Sequence, residues 1–131
     1  MTKGRPRPLQ AGEILAVTLP RLVPPGREQQ GLRPVVVVAI PDRPRFPMLV
    51  IVPLTASIGS WADDNPLYPV LEAGTGGLKS RSALLLDHVR AMDERREFSR
   101  IGALTAEQYA PIRDALSKLF GLVLEARGET K

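Results

Sequence analysis

The sequence contains no cysteine and only one histidine, His88, among its 131 residues. Without thiols the chain has no disulfides, no thiolate metal ligands and no cysteine nucleophile, and an absence of disulfides is typical of cytosolic proteins. A single histidine also excludes RNA cleavage by two histidines of one chain that act as acid and base. No apolar run reaches the roughly 20 residues that a membrane helix needs. We therefore expect a cytoplasmic protein without a membrane partner.

Several common catalytic motifs are missing as well. The segment 74–77, Gly-Thr-Gly-Gly, lacks the spacing and the following lysine of a phosphate-binding loop, and no G-x-S-x-G nucleophile elbow is present. The acidic pairs at 63–64 and 93–94 are adjacent residues in polar segments, where solvated charge is the commoner role. The sequence therefore predicts no cofactor and no metal site.

Arginine is abundant, and it is concentrated near the N terminus. Residues 1–45 carry eight basic side chains against three acidic ones, a balance of +5, whereas the remaining residues carry ten against eleven. Of the eighteen basic residues, fourteen are Arg, which binds phosphate in a bidentate manner better than Lys does. A one-sided cationic field favours a polyanionic partner. A GC-rich genome that encodes Arg in place of Lys would explain much of the same bias.

The length and the 44% hydrophobic content are appropriate for one domain with one modest core. We place this domain at residues 11–124. Residues 1–10 are basic and interrupted by proline, without the apolar stretch of a signal peptide, so we expect a flexible arm. Residues 125–131 are expected to form a disordered tail.

Hydrophobic patterning predicts a mainly β protein with one helix near the end. Short apolar runs between Pro and Gly residues predict strands at 13–19, 35–40, 48–54, 67–71, 82–92 and 101–104. Thr105 and Gln108 form a capping box, and apolar residues follow at helical spacing: Tyr109, Ile112, Leu116, Leu119 and Val123. Pro111 predicts a kink or a separate first turn. Many short strands and one C-terminal helix indicate a small, strongly bent β barrel.

Two of these strands form the most informative local feature. The runs 35–40 and 48–54 are separated by a segment of turn residues, 41–47, which predicts an antiparallel pair. If Ile40 faces Met48, Arg33 faces Thr55. Directly opposed residues have Cβ atoms roughly 4.5 to 5.5 Å apart on one face, so both side chains could hold one phosphate. A bulge would shift the register and separate the pair.

Five segments in order resemble the MazF/PemK toxins of bacterial toxin–antitoxin pairs, also called mRNA interferases. Residues 12–15 are similar to the opening G-[DE]-[IV] strand of the family, and residues 26–37 to its G-x-E-Q-x-G-x-R-P-V-V-V signature. Residues 51–55 resemble its second strand and terminal threonine. Residues 82–93 are similar to its S-x-x-L-x-[DE]-Q-[VI]-R-x-[VI]-D segment, and residues 100–105 to the strand before its last helix.

The resemblance implies an SH3-like β barrel, a homodimer, and metal-independent cleavage of single-stranded RNA, with a cognate antitoxin blocking the groove. It also implies catalytic roles for Arg33 and Thr55. The 2′-hydroxyl of the RNA would attack the adjacent phosphorus, Arg33 would stabilise the developing charge, and Thr55 Oγ would hold a non-bridging oxygen. From the residues alone, a solvated arginine at a strand start and a β-favouring threonine at a strand end are the better explanations of the two positions.

Six further residues are candidates for substrate binding: Arg27, Glu28, Gln29, Ser57, His88 and Arg90. Glu28 and Gln29 fall where the family has a loop that borders its RNA groove. His88 stands where the family usually has glutamine, which introduces a side chain that can exchange a proton near neutral pH; a half-buried structural histidine is the alternative. Arg90 could neutralise phosphate or pair with Asp87 or Asp93. Trp61 and Phe46 lie in predicted loops, where they could stack on a base or cap the barrel.

Two other functions remain open from the sequence. CcdB-like toxins share the barrel and poison DNA gyrase by protein contact, but they depend on a C-terminal Trp-Gly-Ile motif, and residues 124–131 contain no tryptophan. A degenerate family member would bind RNA or its antitoxin without cleavage. The presence of both Arg33 and Thr55 argues against that alternative.

Overall fold

The computed structural model describes residues 8–19 and 31–122. Within these ranges the protein is mainly β, with one α-helix at the C-terminal end and three short 3-10 turns at Ser60–Ala62, Thr75–Gly77 and Leu86–His88. The strands and the helix are β1 (Glu13–Leu19), β2 (Gly31–Ala39), β3 (Met48–Thr55), β4 (Val70–Leu71), β5 (Ser82–Leu84), β6 (Arg90–Asp93), β7 (Phe98–Ala103) and α1 (Ala106–Leu119). No helix in the described ranges is long and apolar enough to cross a membrane.

The strands form one antiparallel sheet that curls on itself. Its order is β4-β5-β3-β2-β1-β7, and β6 pairs with β3 beside β5. β1 and β6 are separated in this order by two strands, yet Leu19 at the end of β1 lines the same surface depression as Met48 and Met92. The sheet must therefore bend across that face, which gives the half-barrel that the sequence predicts.

Both faces of the central strands are buried. One core lies between the sheet and α1 and includes Ile14, Val36, Val52, Leu54, Ile112 and Leu116. The other fills the concave side and includes Leu15, Val17, Val35, Val37, Leu49 and Ile51. Neighbouring side chains of a strand point to opposite faces, and here both faces are buried. The strands therefore need unbroken runs of apolar residues instead of an alternation of apolar and polar residues. This explains the four consecutive valines of β2.

The β2–β3 pairing confirms the predicted hairpin but corrects its register at one end. Val35 pairs with Pro53 and Val37 with Ile51, as the symmetric register requires. Between Val37 and Ala39 a bulge shifts the pairing by one residue, and Ala39 pairs with Val50. The expectation that Ile40 faces Met48 is therefore wrong, because the extra residue is absorbed on the loop side of the hairpin. Towards Arg33, the predicted register holds as far as Val35 and Pro53, where the ladder ends.

The strand predicted at 82–92 is wrong, because it is interrupted in the middle. β5 pairs with the end of β3, β6 pairs with its beginning, and the 3-10 turn Leu86–His88 lies between them. Leu85 and Leu86 are both buried, although they are adjacent in sequence. A regular strand would point one of these two side chains to each face, whereas the turn allows both to be buried where β3 changes its partner strand.

The helix begins at the predicted capping box and continues through Pro111. Thr105 Oγ1 accepts a hydrogen bond from the Gln108 N–H at 3.1 Å, and Gln108 Oε1 accepts one from the Thr105 N–H at 2.8 Å. Pro111 lies inside α1, but the helix runs through it without a separate first turn. Because proline has no N–H, the helix loses only the hydrogen bond from residue 111 to the carbonyl of Glu107. Glu107 is exposed, so water can bind this carbonyl instead.

Part of the predicted arm contacts the domain. Leu9 packs against the concave core, and the Gln10 N–H donates to Glu13 Oε2 at 2.7 Å. Residues 1–7 of the arm, Val123 of the predicted helix face and the predicted tail at 125–131 lie outside the described residues.

Candidate functional site

Thr55 is the last residue of β3. It lies beyond the residues that pair with β2, and it pairs with Ala83 of β5. Its side chain is only 7% exposed, but it borders a surface pocket of about 320 Å³ together with Ser57 and His88. Thr55 Oγ1 accepts a hydrogen bond from the Ser57 N–H at 3.1 Å. A hydroxyl has one proton and two acceptor lone pairs, so this contact orients the oxygen and leaves the O–H able to donate into the pocket.

Arg33 lies on β2, where it pairs with Val17 of β1. The preference of a residue before proline for extended backbone agrees with this position, since Pro34 follows. Arg33 is partly exposed and lines a groove of about 450 Å³ with Pro34, Lys79 and Ser80 among others. The groove therefore combines an apolar floor with two cationic side chains.

The β2–β3 register points towards Arg33 and Thr55 as an opposed pair, although in the ladders themselves Arg33 pairs with Val17 and Thr55 with Ala83. The ladder between β2 and β3 ends at Val35 and Pro53, and two further residues along each strand lead to Arg33 and Thr55. The two residues line different depressions, however: Thr55 borders the pocket, whereas Ala56 and Arg33 border the groove. The two depressions thus adjoin at consecutive residues of the chain.

The pocket beside Thr55 has an aromatic corner. The rings of Trp61 and Tyr68 have centroids 4.9 Å apart and are inclined by 79°. The Tyr68 hydroxyl donates a hydrogen bond to Asp87 Oδ2 at 2.6 Å, and this bond raises the pKa of Tyr68 above its usual 10.0. From the sequence, Trp61 is a candidate for stacking or capping, Asp87 is only a possible partner of Arg90, and Tyr68 is not a candidate, because the three residues come from separate segments of the chain.

His88 also lies in this pocket, at the end of the 3-10 turn that interrupts the predicted strand. Its Nε2 is 3.9 Å from Asp87 Oδ1, which is longer than a hydrogen bond. Its Nδ1 is buried and has no hydrogen-bond partner among the described residues. Two of the predicted substrate-binding residues, Ser57 and His88, are thus brought together with Thr55.

Arg90 does not line the pocket that Thr55 borders. It pairs with Ile51 on β6 and lines a different depression with Asp93 and Arg96. Of the carboxylates considered as its partners, Asp87 accepts from Tyr68 and Asp93 is bound by Arg95 at 2.7 Å. The Arg95 guanidinium lowers the pKa of Asp93 to about 2.

The other predicted candidates are not near the pocket or are not described. Arg27, Glu28 and Gln29 lie within 20–30, outside the described residues. Phe46 is on the β2–β3 turn, at the opposite end of β3 from Thr55, where the Arg45 guanidinium lies 4.8 Å from its ring centroid. In the part of the chain that the structure describes, no three or more His, Asp or Glu residues are grouped in a way that could hold a metal ion.

Comparison with solved structures supports the fold. Crystal structures of MazF from Deinococcus radiodurans and of two MazE-MazF complexes from the same organism are similar to this chain. MazF alone (Form-I) has a TM-score of 0.64 at 24% identity, over 86% of this chain and 96% of that chain. MazE-MazF (Form-II) has a TM-score of 0.60 at 21% identity, over 88% and 97%. MazE-MazF (Form-III) has a TM-score of 0.58 at 22% identity, over 88% and 98%.

A comparison with curated proteins finds no match. A family profile described as "PemK-like, MazF-like toxin of type II toxin-antitoxin system" matches residues 10–120. This match covers most of the chain, including Arg33, Thr55 and the pocket. The chain therefore belongs to the PemK-like, MazF-like toxin family.

Proposed function

We propose that this protein is the toxin of a type II toxin–antitoxin pair and that it cleaves single-stranded RNA at short sequences without a metal ion. The observation that carries the proposal is the β2–β3 register. Its last pair is Val35 with Pro53, and two more residues along each strand would set Arg33 opposite Thr55. Both positions lie in the segments that resemble motifs of the family. A cationic and a hydroxyl side chain on one face are suitable for binding a phosphate diester.

The proposed reaction uses the RNA as its own nucleophile. The 2′-oxygen forms a bond to phosphorus while the bond from phosphorus to the 5′-oxygen breaks. The products are a 2′,3′-cyclic phosphate and a free 5′-hydroxyl. One proton leaves the 2′-hydroxyl, one is delivered to the 5′-oxygen, and negative charge builds on the non-bridging oxygens between these events.

Thr55 would hold one non-bridging oxygen. Because its Oγ1 already accepts from the Ser57 N–H at 3.1 Å, the hydroxyl proton can point towards the pocket. A donor that is fixed before the substrate arrives needs little reorganisation when charge develops, which is the main source of electrostatic catalysis. The low exposure of Thr55 strengthens this interaction, since the oxygen is shielded from bulk water.

Arg33 would stabilise the rest of the charge. Its guanidinium presents directed N–H donors and no acceptor, a geometry that suits the oxygens of a phosphate. Electrostatic stabilisation is therefore its proposed role, and proton transfer is assigned to other groups. His88 is a candidate for that task, since it borders the pocket of Thr55.

The partners follow from the same family. MazF of Deinococcus radiodurans has been crystallised with MazE, and we extend such an arrangement to this chain as an antitoxin that covers the groove of Arg33. The groove supports this, because exposed Leu32 and Pro34 lie beside Arg33 and Lys79, which fits an acidic peptide with apolar anchors. We further propose a homodimer that acts on cytoplasmic RNA.

The experiment that tests the proposal is an assay of the purified chain on single-stranded RNA in the presence of a chelator. The expected result is discrete fragments, unchanged by EDTA, and no fragments with Arg33→Ala. Arg45→Ala is the matched control, because Arg45 is an exposed arginine on the β2–β3 turn that contacts Phe46. This variant should cleave like the natural chain.

Two outcomes would contradict the proposal. Cleavage that requires added magnesium would exclude the metal-free chemistry. An absence of cleavage by a protein that still arrests growth would favour a toxin that acts by binding, as CcdB-like proteins do.

A further inference from the structure

We propose that the pocket bordered by Thr55, Trp61, Tyr68 and Asp87 binds one unpaired RNA base that carries an exocyclic amino group, with the ring on the aromatic corner and the amino group on Asp87. This inference rests on the proposed function, because it assumes that RNA is the ligand. It adds a specificity-determining site, which selects the base beside the cleaved phosphate.

The first support is the shape of the pocket. Trp61 is 42% exposed although it is the largest side chain in the protein, and Tyr68 meets it at 79°. Two nearly perpendicular rings provide one face for stacking and a second wall that limits how a flat ring can slide. Stacking of a base on an aromatic side chain is the usual way in which proteins hold unpaired nucleotides. The volume of about 320 Å³ leaves room for a base.

The second support is the direction of the hydrogen bonds. Tyr68 donates to Asp87 Oδ2 at 2.6 Å, which orients the carboxylate and leaves Oδ1 as an acceptor. The side chain of Asp87 is 39% exposed, so a ligand can reach it. A carboxylate accepts from the amino group of cytosine, and adenine offers an equivalent N–H donor. Uracil has carbonyl oxygens on both sides of its single N–H, so it would place an acceptor against the negative charge.

A third observation concerns His88, another residue that lines the pocket. His88 Nδ1 is buried without a hydrogen-bond partner among the described residues. Most buried polar atoms in proteins are hydrogen-bonded, and exceptions are commonly satisfied by water or a ligand. The pocket is therefore polar on the side of Asp87 and His88 and aromatic on the side of Trp61, which matches the edge and the face of a base.

The position of the pocket links it to the cleavage site. Thr55 is a wall of the pocket and also the residue proposed to hold the phosphate. A base bound on Trp61 must then belong to a nucleotide next to that phosphate, because neighbouring nucleotides are joined through it. The identity of this base would determine which phosphates of an RNA reach Thr55 and Arg33.

Trp61 is the only tryptophan of the chain, so its fluorescence reports on this pocket alone. We would titrate the full chain with short 2′-fluoro oligonucleotides of adenosine, cytidine or uridine, which lack the attacking hydroxyl and cannot be cleaved. The expected result is quenching by all strands that bind. The half-maximal concentration should be on the order of tenfold lower for adenosine or cytidine than for uridine, as expected for a hydrogen bond to a charged group.

Asp87→Asn is the informative variant. Its amide can donate to a carbonyl oxygen, so the preference for adenosine and cytidine over uridine should disappear. Glu72→Gln is the matched control, because it removes an exposed carboxylate that pairs with Arg81 at 3.1 Å outside the pocket. This control should keep the preference of the natural chain.

Equal half-maximal concentrations for the three oligonucleotides, no quenching at all, or an unchanged preference in Asp87→Asn would overturn the inference. The outcome also separates the two proposals. A clear preference in fluorescence with ordinary RNA left uncut would contradict the nuclease function and leave the pocket as a binding site. Cleavage of ordinary RNA without any fluorescence preference would contradict the pocket alone.

Discussion

Among single residues, Thr55 connects the local structure to the chemistry most directly. Its hydroxyl is oriented by the Ser57 N–H, so the oxygen has both a structural and a proposed catalytic contact. Thr55→Val keeps the shape and removes the hydroxyl. We expect RNA cleavage to fall by about 10² or more, as for loss of a preorganised donor, with a stability loss of about 1 kcal/mol for one hydrogen bond. Fragment yield and chemical denaturation measure the two effects.

Thr55→Ser is the matched control for that change. Serine keeps the hydroxyl and loses only a methyl group, so most of the cleavage activity should remain. If Thr55→Val cleaved RNA as fast as the natural chain, the proposed phosphate contact would be wrong. A loss of activity explained entirely by unfolding would leave Thr55 as a structural residue.

The surroundings of both tyrosines, Tyr68 and Tyr109, raise the pKa of their hydroxyl groups. The hydrogen bond to Asp87 raises the pKa of Tyr68, and burial raises that of Tyr109, whose hydroxyl donates to the Val38 carbonyl at 3.1 Å. A raised folded-state pKa means that the neutral phenol is favoured in the folded protein. Its contribution to stability is therefore complete below pH 10.0 and is lost as the pH rises through the folded-state pKa.

This leads to a prediction about the Tyr68–Asp87 contact. In an ultraviolet titration of phenolate absorbance, neither tyrosine should titrate at 10.0 in the natural chain. Asp87→Asn should move one of the two transitions down towards 10.0, because the carboxylate acceptor is lost. Asp93→Asn, which removes a carboxylate bound to Arg95 instead, should leave both transitions in place. Identical titrations for the two variants would contradict the contact.

At the scale of elements, the sequence predicts where a strand or helix begins and ends when nearby residues determine it. The strand Glu13–Leu19 begins after Gly12 and ends before Pro20, and the capping box at Thr105 marks the start of α1. The bulge after Val37 and the break at 85–89 could not be predicted, because the first depends on how β2 pairs with β3 and the second on the change of partner from β6 to β5 along β3. Pairing of this kind depends on residues far apart in sequence.

The glycine-rich turn near β7 provides a test of element packing. A Cβ added to Gly102 would clash with the Gly76 carbonyl oxygen, which is backbone and cannot move aside like a side chain. Gly102→Ala should therefore destabilise the fold by on the order of 1–3 kcal/mol, as overpacking does. Ser99→Ala, at an exposed position of the same strand, should be nearly neutral. Equal denaturation midpoints for the two variants would contradict the close approach of the turn.

At the scale of the whole molecule, the candidate site is formed by the fold from separate parts of the chain. Arg33 and Thr55 could be proposed as a pair from the sequence, because both lie in one predicted hairpin and in motifs of a known family. Tyr68 and Asp87 are nineteen positions apart, and Trp61 comes from a different turn, so no local pattern connects them. The pocket becomes visible only when the curled sheet brings these loops to the end of β3.

The most direct test of the central claim is a map of RNA 5′-hydroxyl ends after a short pulse of expression. The account predicts new ends that share a short sequence, produced by the natural chain and by Arg45→Ala but not by Arg33→Ala. No new ends with the natural chain, or the same ends with Arg33→Ala, would contradict it.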